Sequence, residues 1–256
     1  MRIVGAIITL NEENILADCI EGLHHLTKEI YILDSYSSDN TLEIAKEYGC
    51  TIYQKEFNGY ATQRKHLLSM IPQNVWVAMV DADEIISLNL ALEIKEIIHK
   101  DNCEAILVRR QEYFLGKKMY FSYEKSVQIP RFFKSNEVTI EREINERYLF
   151  NGSTTLLKNK LDHYSFNKGI ESWIDKHNKY STAEAIFLLS DNSVSDTSVR
   201  FKVKSLLYKS KFKLPILFVY YFIIKLPFLD GRRGLYYSAL KFFYELMISI
   251  KIKEKC

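Results

Sequence analysis

Short apolar runs alternate with amphipathic segments over the first hundred residues. Ile3 to Thr9, Glu29 to Leu33 and Thr51 to Tyr53 predict strands. The segment after each run has helical spacing; Asn11 is expected to cap the first helix and Gly49 to end the second. Because strand and helix alternate regularly up to residue 100, the pattern predicts an α/β fold with a mostly parallel sheet in three layers.

A fourth apolar run, Trp76 to Val80, predicts a strand buried on both faces, and three carboxylates, Asp81, Asp83 and Glu84, follow it. In open α/β sheets, ligands bind beyond the carboxyl ends of the strands. Two Asp separated by one residue can offer one carboxylate to a sugar hydroxyl and the other to Mg²⁺ or Mn²⁺, which prefer oxygen ligands. The alternative is a helix start, with Asp83 or Ser87 as its N-cap.

A second carboxylate, Asp34, follows the second predicted strand. In a parallel sheet Asp34 and Asp81 face the same edge, beside the turn from Thr9 to Glu12. The sequence contains neither GxGxxG nor GxxxxGK[ST], so a dinucleotide site and a P-loop have no support. A nucleotide could span Asp34 and Asp81, but a metal and side chains would have to hold its phosphates.

The second half predicts further strands and one long helix. Val127 to Phe133 and Val138 to Ile140 are expected to form a hairpin around Ser135 and Asn136. Ile170 to Leu189 predicts a helix on which His177 is a packing residue.

Composition and charge separate a body from a tail. The chain has 256 residues, 47% of them hydrophobic, which suffices for one large or two small domains. Its four Cys include no CxxC pair, so neither a zinc knuckle nor a disulfide framework is indicated. Residues 200–256 carry 13 Lys and Arg against 3 Asp and Glu, whereas residues 1–199 carry 22 against 29.

The basic tail is also aromatic. Pro215 and Pro227 bracket an apolar run shorter than the ~20 residues of a spanning helix. We therefore expect an amphipathic segment on an anionic membrane surface. Packing against the body or a second subunit stays open, and nucleic acid is a weaker third alternative.

Four segments carry a family resemblance: Ile7 to Glu13, Ile32 to Thr41, Phe57 to Arg64 and Val80 to Glu84. In this order they resemble the successive motifs of family 2 glycosyltransferases with the GT-A fold. The chain is most similar to short lipopolysaccharide-core enzymes of the Kdo/heptose β-glucosyltransferase type. The resemblance implies a GT-A α/β/α sandwich over residues 1–190, with a nucleotide-sugar half at 1–100 and an acceptor half at 101–190. A helical, basic-aromatic extension would occupy residues 191–256.

The resemblance also implies a role for individual residues. Thr9, Leu10 and Glu12 would line the base and ribose of the nucleotide, and Asp34 would accept a hydrogen bond from uracil. Asp81 would contact the ribose, and Arg64 would approach the diphosphate. Asp83 and His163 would hold Mg²⁺ or Mn²⁺. Each has a structural alternative, such as a helix cap, a turn, a solvated arginine or a packed histidine. Lys65 departs from the Asn that the family usually has there.

An inverting transfer needs a general base for the acceptor hydroxyl. The candidates are Glu141, Glu143 and Glu146. We favour Glu146, because Asn145-Glu146-Arg147 occupies the place of the family's His-Glu-Arg; a salt bridge to Arg142 is the alternative.

The implied function is transfer of a hexose to a lipopolysaccharide core or to another glycolipid or oligosaccharide acceptor. Glucose, donated by UDP-glucose, is the first candidate for the transferred sugar. The enzyme would lie on the cytoplasmic face of the inner membrane, with no nucleic acid partner and with the oligomeric state open. A nucleotidyltransferase and a non-catalytic membrane-surface binding protein are the alternatives.

Overall fold

The computed structural model describes residues 1–141, 147–189, 207–208, 210 and 212–255. These form two compact units. The first contains Met1–Glu112 and Lys125–Asn167, and the second contains Tyr113–Glu124 and Lys168–Cys256. The boundaries differ from the division expected at residue 190, because the helix before that residue belongs with the C-terminal segment.

The first unit begins with the expected alternation of strands and helices. Its elements are β1 (Ile3–Thr9), α1 (Leu16–His24), β2 (Ile30–Asp34), α2 (Thr41–Glu47), β3 (Thr51–Gln54), α3 (Tyr60–Met70), β4 (Trp76–Asp81), β5 (Glu84–Ile85) and α4 (Leu88–Lys100). Strands β3, β2, β1 and β4 are adjacent in that order and parallel. The α/β prediction is confirmed.

The sheet continues with strands from the second half of the chain. These are β6 (Ala105–Phe114), β8 (Gln128–Lys134) and β11 (Thr154–His163), with β7 (Lys117–Lys118) paired to the end of β6. The order after β4 is β8, β6, β11 and β5. Because β8 is antiparallel to both β4 and β6, the complete sheet is mixed.

Both faces of β4 are covered, which gives the three layers. Ala78 and Val80 belong to the apolar cluster formed with α1 and α4. Val77 and Met79 belong to the cluster on the other face, formed with α3. Full burial of each large apolar side chain stabilises the fold by about 1.5–3 kcal/mol.

The predicted start of the first helix is wrong. Helix α1 begins at Leu16, and its N-cap residue, Ile15, makes no side-chain cap. Asn11 has a positive φ of 54°. Its Oδ1 accepts a hydrogen bond from the Ser38 backbone N–H at 2.8 Å, so Asn11 joins the loops after β1 and β2 instead of capping a helix. Ser87, by contrast, does cap α4 through the Leu90 N–H.

The predicted hairpin is also wrong. The chain turns after β8, but β8 pairs with β4 and β6, while β9 (Val138–Glu141) pairs with β10 (Arg147–Phe150) in a separate two-stranded sheet. Phe132 and Phe133 explain the difference. They are adjacent and therefore point to opposite faces, yet both are fully buried, so β8 needs a core on each side.

The second unit is mainly helical, apart from β7 and the end of β6. It contains α5 (Gly169–Leu189), α6 (Lys213–Val219), a π-helical turn (Tyr220–Ile224), a 3₁₀ turn (Pro227–Asp230) and α7 (Gly231–Lys255). Helices α5 and α7 pack together: the His177 ring stacks on Trp173 with 3.6 Å between centroids and meets the edge of Tyr244. His177 is thus a packing residue, as predicted.

The 3₁₀ turn holds a distant loop of the same unit. The Asp230 carboxylate accepts hydrogen bonds from the backbone N–H groups of Tyr120, Phe121 and Ser122 at 2.8, 2.9 and 2.9 Å. The Ser122 hydroxyl donates a further bond at 2.7 Å. One side chain therefore satisfies three consecutive backbone donors.

Within the described ranges, none of the helices taken singly has the length and apolar character needed to cross a bilayer. The segments Lys213–Ile224 and Pro227–Glu254, separated by a 47° bend, reach that length and composition only as a pair.

Candidate active site

The candidate site lies where β1, β2 and β4 end, which we call the carboxyl edge. Residue pairing along the parallel strands places Thr9 opposite Asp34 and Ile8 opposite Asp81. The two carboxylates predicted to share an edge therefore do so.

Asp34 is completely buried at this edge. Its carboxylate accepts hydrogen bonds from the Thr9 hydroxyl at 3.0 Å, the Ser37 N–H at 2.9 Å and the Gln54 amide at 3.3 Å, and also from the Ser37 hydroxyl. A carboxylate offers about four acceptor positions, and all are filled. A direct hydrogen bond to uracil stays a prediction, and it requires one of these partners to give way.

The loop after β1 contains the other predicted base and ribose contacts. Leu10 is exposed there. Glu12 accepts a hydrogen bond from the Asn167 side chain at 2.9 Å, and its backbone N–H donates to the Thr41 hydroxyl at 2.7 Å. Because α1 has no side-chain cap, the capping alternative for Glu12 is wrong. Its contact with a nucleotide stays a prediction.

Asp81 sits in a cluster with three arginines. Arg64 from α3 pairs with one carboxylate oxygen. Arg110 from β6 and Arg131 from β8 contact the other, at 2.9 and 2.5 Å. The same two arginines hold Glu84, whose side chain has no exposure, at 2.6 and 2.8 Å. The cluster thus joins β4, β5, β6, β8 and α3 and carries three positive and two negative charges.

The charges of this cluster depend on one another. Burial alone would raise the pKa of the Asp81 carboxyl, but the three guanidinium groups, Arg131 foremost, outweigh it and hold the pKa below its ordinary range. Burial opposes ionisation of Glu84 too, and Arg110 and Arg131 lower its pKa. Both carboxylates are therefore ionised at neutral pH.

Sequence reasoning missed the roles of Glu84, Arg110 and Arg131 in this cluster. Arg131 offered a signal, because it stands directly before two phenylalanines in a strand that must be buried. A buried arginine needs carboxylate partners.

Asp83 and His163 face each other beside the cluster. His163 Nε2 lies 3.6 Å from an Asp83 carboxylate oxygen, and His163 Nδ1 lies 2.8 Å from Glu112. No group of three or more His, Cys, Asp or Glu among the described residues could hold a metal. One carboxylate and one imidazole nevertheless fit Mg²⁺ or Mn²⁺ in a nucleotide site, where substrate phosphates complete the ligand set.

Only one of the three candidates for the general base, Glu141, lies among the described residues. Glu143 and Glu146 lie within residues 142–146, outside the described residues. Glu141 ends β9 and is exposed. The assignment of the base therefore stays a prediction.

A mixed sheet covered by helices on both faces, with carboxylates at its carboxyl edge, is the arrangement expected for the GT-A fold. The chain belongs to glycosyl transferase family 2, whose model matches residues 6–177. One relative is an uncharacterized glycosyltransferase of Rickettsia typhi, which is 30% identical over 72% of this chain and 67% of the relative. The lipopolysaccharide core biosynthesis glycosyltransferase LpsC of Rhizobium meliloti is 28% identical over 94% of this chain and 85% of the relative.

Solved structures share the fold. Residues 1–349 of S. aureus TarS, in complex with UDP-GlcNAc, match with a TM-score of 0.52 at 14% identity, covering 98% of this chain and 89% of that one. Against a longer TarS chain the match spans 47% of its length, with a TM-score of 0.51.

Proposed function

We propose that this glycosyltransferase is an inverting, metal-dependent enzyme that transfers a hexose from a UDP-sugar to a membrane-linked glycan. UDP-glucose is the first candidate donor, and a lipopolysaccharide core is the first candidate acceptor. The observation that carries the proposal is the pair of Asp83 and His163, 3.6 Å apart at the carboxyl edge. The similarity to LpsC supports the choice of acceptor.

Different side chains at the carboxyl edge would bind different parts of the donor. Asp83 and His163 would hold Mg²⁺ or Mn²⁺, which would neutralise the charge of the departing diphosphate. Asp81 keeps 26% of its side chain exposed and can accept a hydrogen bond from ribose. Thr9, Leu10, Glu12 and Asp34 would bind the base and ribose. Arg64 would approach the diphosphate and exchange its contact with Asp81 for a phosphate oxygen, since guanidinium groups bind both anions in the same way.

The chemistry is a single displacement. The acceptor oxygen forms a bond to the anomeric carbon from the face opposite the diphosphate, the bond from that carbon to the diphosphate breaks, and UDP leaves. We assign Glu146 as the base that takes the acceptor proton. A nucleotidyltransferase would release pyrophosphate instead, and membership of family 2 favours the glycosyl transfer.

The acceptor would be reached at the cytoplasmic face of the inner membrane, where we place the enzyme as a peripheral protein. The tail is basic, and apolar side chains on and beside α6 are exposed: 71% for Phe212, 50% for Phe218 and 64% for Ile224. Basic groups beside exposed apolar groups match an anionic bilayer surface.

The test is donor binding by the purified protein and its Asp83→Asn variant. UDP-glucose, UDP-galactose, UDP-GlcNAc and GDP-mannose are compared by thermal shift, with and without Mn²⁺. We expect metal-dependent stabilisation by one UDP-sugar, about 2.7 kcal/mol at 100-fold its Kd. Asp83→Asn should lose this stabilisation and all transfer.

Asp101→Asn is the matched control, because Asp101 ends α4 and pairs with Lys134, outside the carboxyl edge. This variant should behave as the parent does. Full metal-dependent stabilisation in Asp83→Asn would contradict the proposed metal site, and release of pyrophosphate instead of UDP would contradict the reaction. Glu146→Gln should keep donor affinity and lower turnover about 10²- to 10⁴-fold.

A further inference from the structure

We propose that Glu112 is a positioning residue that holds the His163 ring with Nε2 directed at the metal position. The inference rests on the metal site proposed above and assigns a residue outside the motif that suggested that site. Glu112 is buried near the end of β6, and its carboxylate faces the imidazole of His163 on β11.

The hydrogen bonds determine which ring nitrogen is available. His163 Nδ1 lies 2.8 Å from Glu112 Oε2, and the Ser165 hydroxyl donates to Glu112 Oε1. We take Glu112 as ionised; because a carboxylate only accepts hydrogen bonds, the proton of this contact is assigned to His163 Nδ1. The neutral ring then has its lone pair on Nε2, the nitrogen that lies 3.6 Å from Asp83.

The backbone brings the same groups together. His163 pairs with Glu112 across β11 and β6, and with Glu84 across β11 and β5. The Tyr164 N–H donates to the Asp83 carbonyl at 2.9 Å, which ties the loop of Asp83 to the end of β11. Strand pairing therefore sets the separation of the two ligands, and Glu112 sets the rotation of the ring.

This arrangement is the carboxylate–histidine pair found behind many metal-bound histidines. The carboxylate fixes the tautomer, orients the ring and raises the basicity of the coordinating nitrogen, and losing it typically lowers metal affinity about 10- to 100-fold. Glu112 does not need to touch the metal or the donor to have this effect.

The test is Mn²⁺ affinity, measured from the electron paramagnetic resonance signal of free Mn²⁺ with saturating UDP present. We expect Glu112→Ala to bind Mn²⁺ about 100-fold more weakly than the parent and Glu112→Gln, which keeps an acceptor without the charge, about 10-fold more weakly. If Glu112→Ala does not fold, the Mn²⁺ affinity of Glu112→Gln tests the proposal.

Glu93→Ala is the matched control. The Glu93 carboxylate also holds β11, by accepting hydrogen bonds from the N–H groups of Lys158 and Asn159 at 2.7 and 2.9 Å, but it does so in the middle of the strand and not at His163. If loosening β11 were enough, Glu93→Ala would weaken Mn²⁺ binding too, and that result would overturn the positioning role.

Two failures can be told apart. Mn²⁺ affinity within about twofold of the parent in a folded Glu112 variant, together with lost binding in Asp83→Asn, overturns the role of Glu112 and leaves the metal site intact. Unchanged binding in Asp83→Asn overturns the metal site itself, and the role of Glu112 with it.

Discussion

Asp81 shows how one residue of a recognisable motif depends on residues far away in the sequence. Its three arginine partners come from α3, β6 and β8, and two of them are shared with the buried Glu84. Removing one member of a buried ion cluster leaves the opposite charge without compensation in a site of low dielectric. The carboxyl edge is therefore a stability element as well as a candidate binding site.

Arg131→Met should lower the free energy of unfolding by about 3–5 kcal/mol, because Asp81 and Glu84 then share one fewer cation in a buried site. The measurement is urea unfolding at pH 7. Arg2→Met is the control: Arg2 pairs with Glu29 at the surface, so its loss should cost less than about 1 kcal/mol. Equal effects of the two substitutions would contradict the account of the cluster.

Residues of the carboxyl edge were predictable to different degrees. Thr9, Asp34 and Asp81 could be placed together because each follows a strand and the ends of parallel strands align. Arg110 and Arg131 could not, because their position depends on the insertion of β8 between β4 and β6, a pairing between segments far apart in the sequence. Local periodicity carries no information on such a pairing.

At the scale of elements, the lack of local information on long-range pairing explains why the hairpin prediction was wrong. A turn at Ser135 and Asn136 was visible, but the partner of β8 was decided by the need to bury two adjacent phenylalanines on opposite faces. The strand–helix units before residue 100 were predictable because each helix covers strands close to it in sequence. Helix α5 was predicted from its spacing and the tail was predicted to be helical, but the pairing of α5 with α7 was not predicted.

The contact of α5 with α7 should depend on pH. Burial lowers the pKa of His177 to about 4, and the positive charge of Lys241 acts in the same direction. Between the ordinary His value of about 6.5 and this folded value, the unfolded chain binds more protons than the folded one. His177 therefore contributes its full stability above pH 6.5, and that contribution falls as the pH is lowered towards 4.

His177→Phe, which keeps a ring against Trp173, should flatten the dependence of the free energy of unfolding on pH across this interval. Chemical unfolding at pH steps from 7 to 4 measures it. His99→Gln, on the exposed side of α4, should follow the parent curve. A His177→Phe curve parallel to that of the parent would show that this ring does not couple the helix contact to pH.

At the scale of the whole molecule, charge is divided between body and tail. The tail's basic groups should make adsorption to anionic vesicles reversible and sensitive to salt, since screening shortens the range of the attraction. Arg232→Gln with Arg233→Gln should weaken adsorption by about 2 kcal/mol, roughly 1 kcal/mol for each group near the surface. Co-sedimentation across a salt series, with neutral vesicles for comparison, measures this.

Lys28→Gln with Lys46→Gln removes the same charge from the body and should leave adsorption unchanged. Adsorption that resists high salt and requires detergent would contradict the peripheral arrangement. The bent pair of helices from Lys213 to Glu254 would then have to be inserted in the bilayer.

The capture of residues 120–122 by Asp230 imposes an order on biosynthesis. The carboxylate lies 110 residues after Tyr120, so a ribosome adding about 5–20 residues per second leaves these three backbone donors without their acceptor for roughly 5–20 s. During that interval the first unit can already have formed its sheet while the loop at residues 120–122 is still solvated. The hydrogen bonds from residues 120–122 can form only after Asp230 has emerged, so a nascent chain halted before that residue can contain an assembled first unit while these three donors stay solvated.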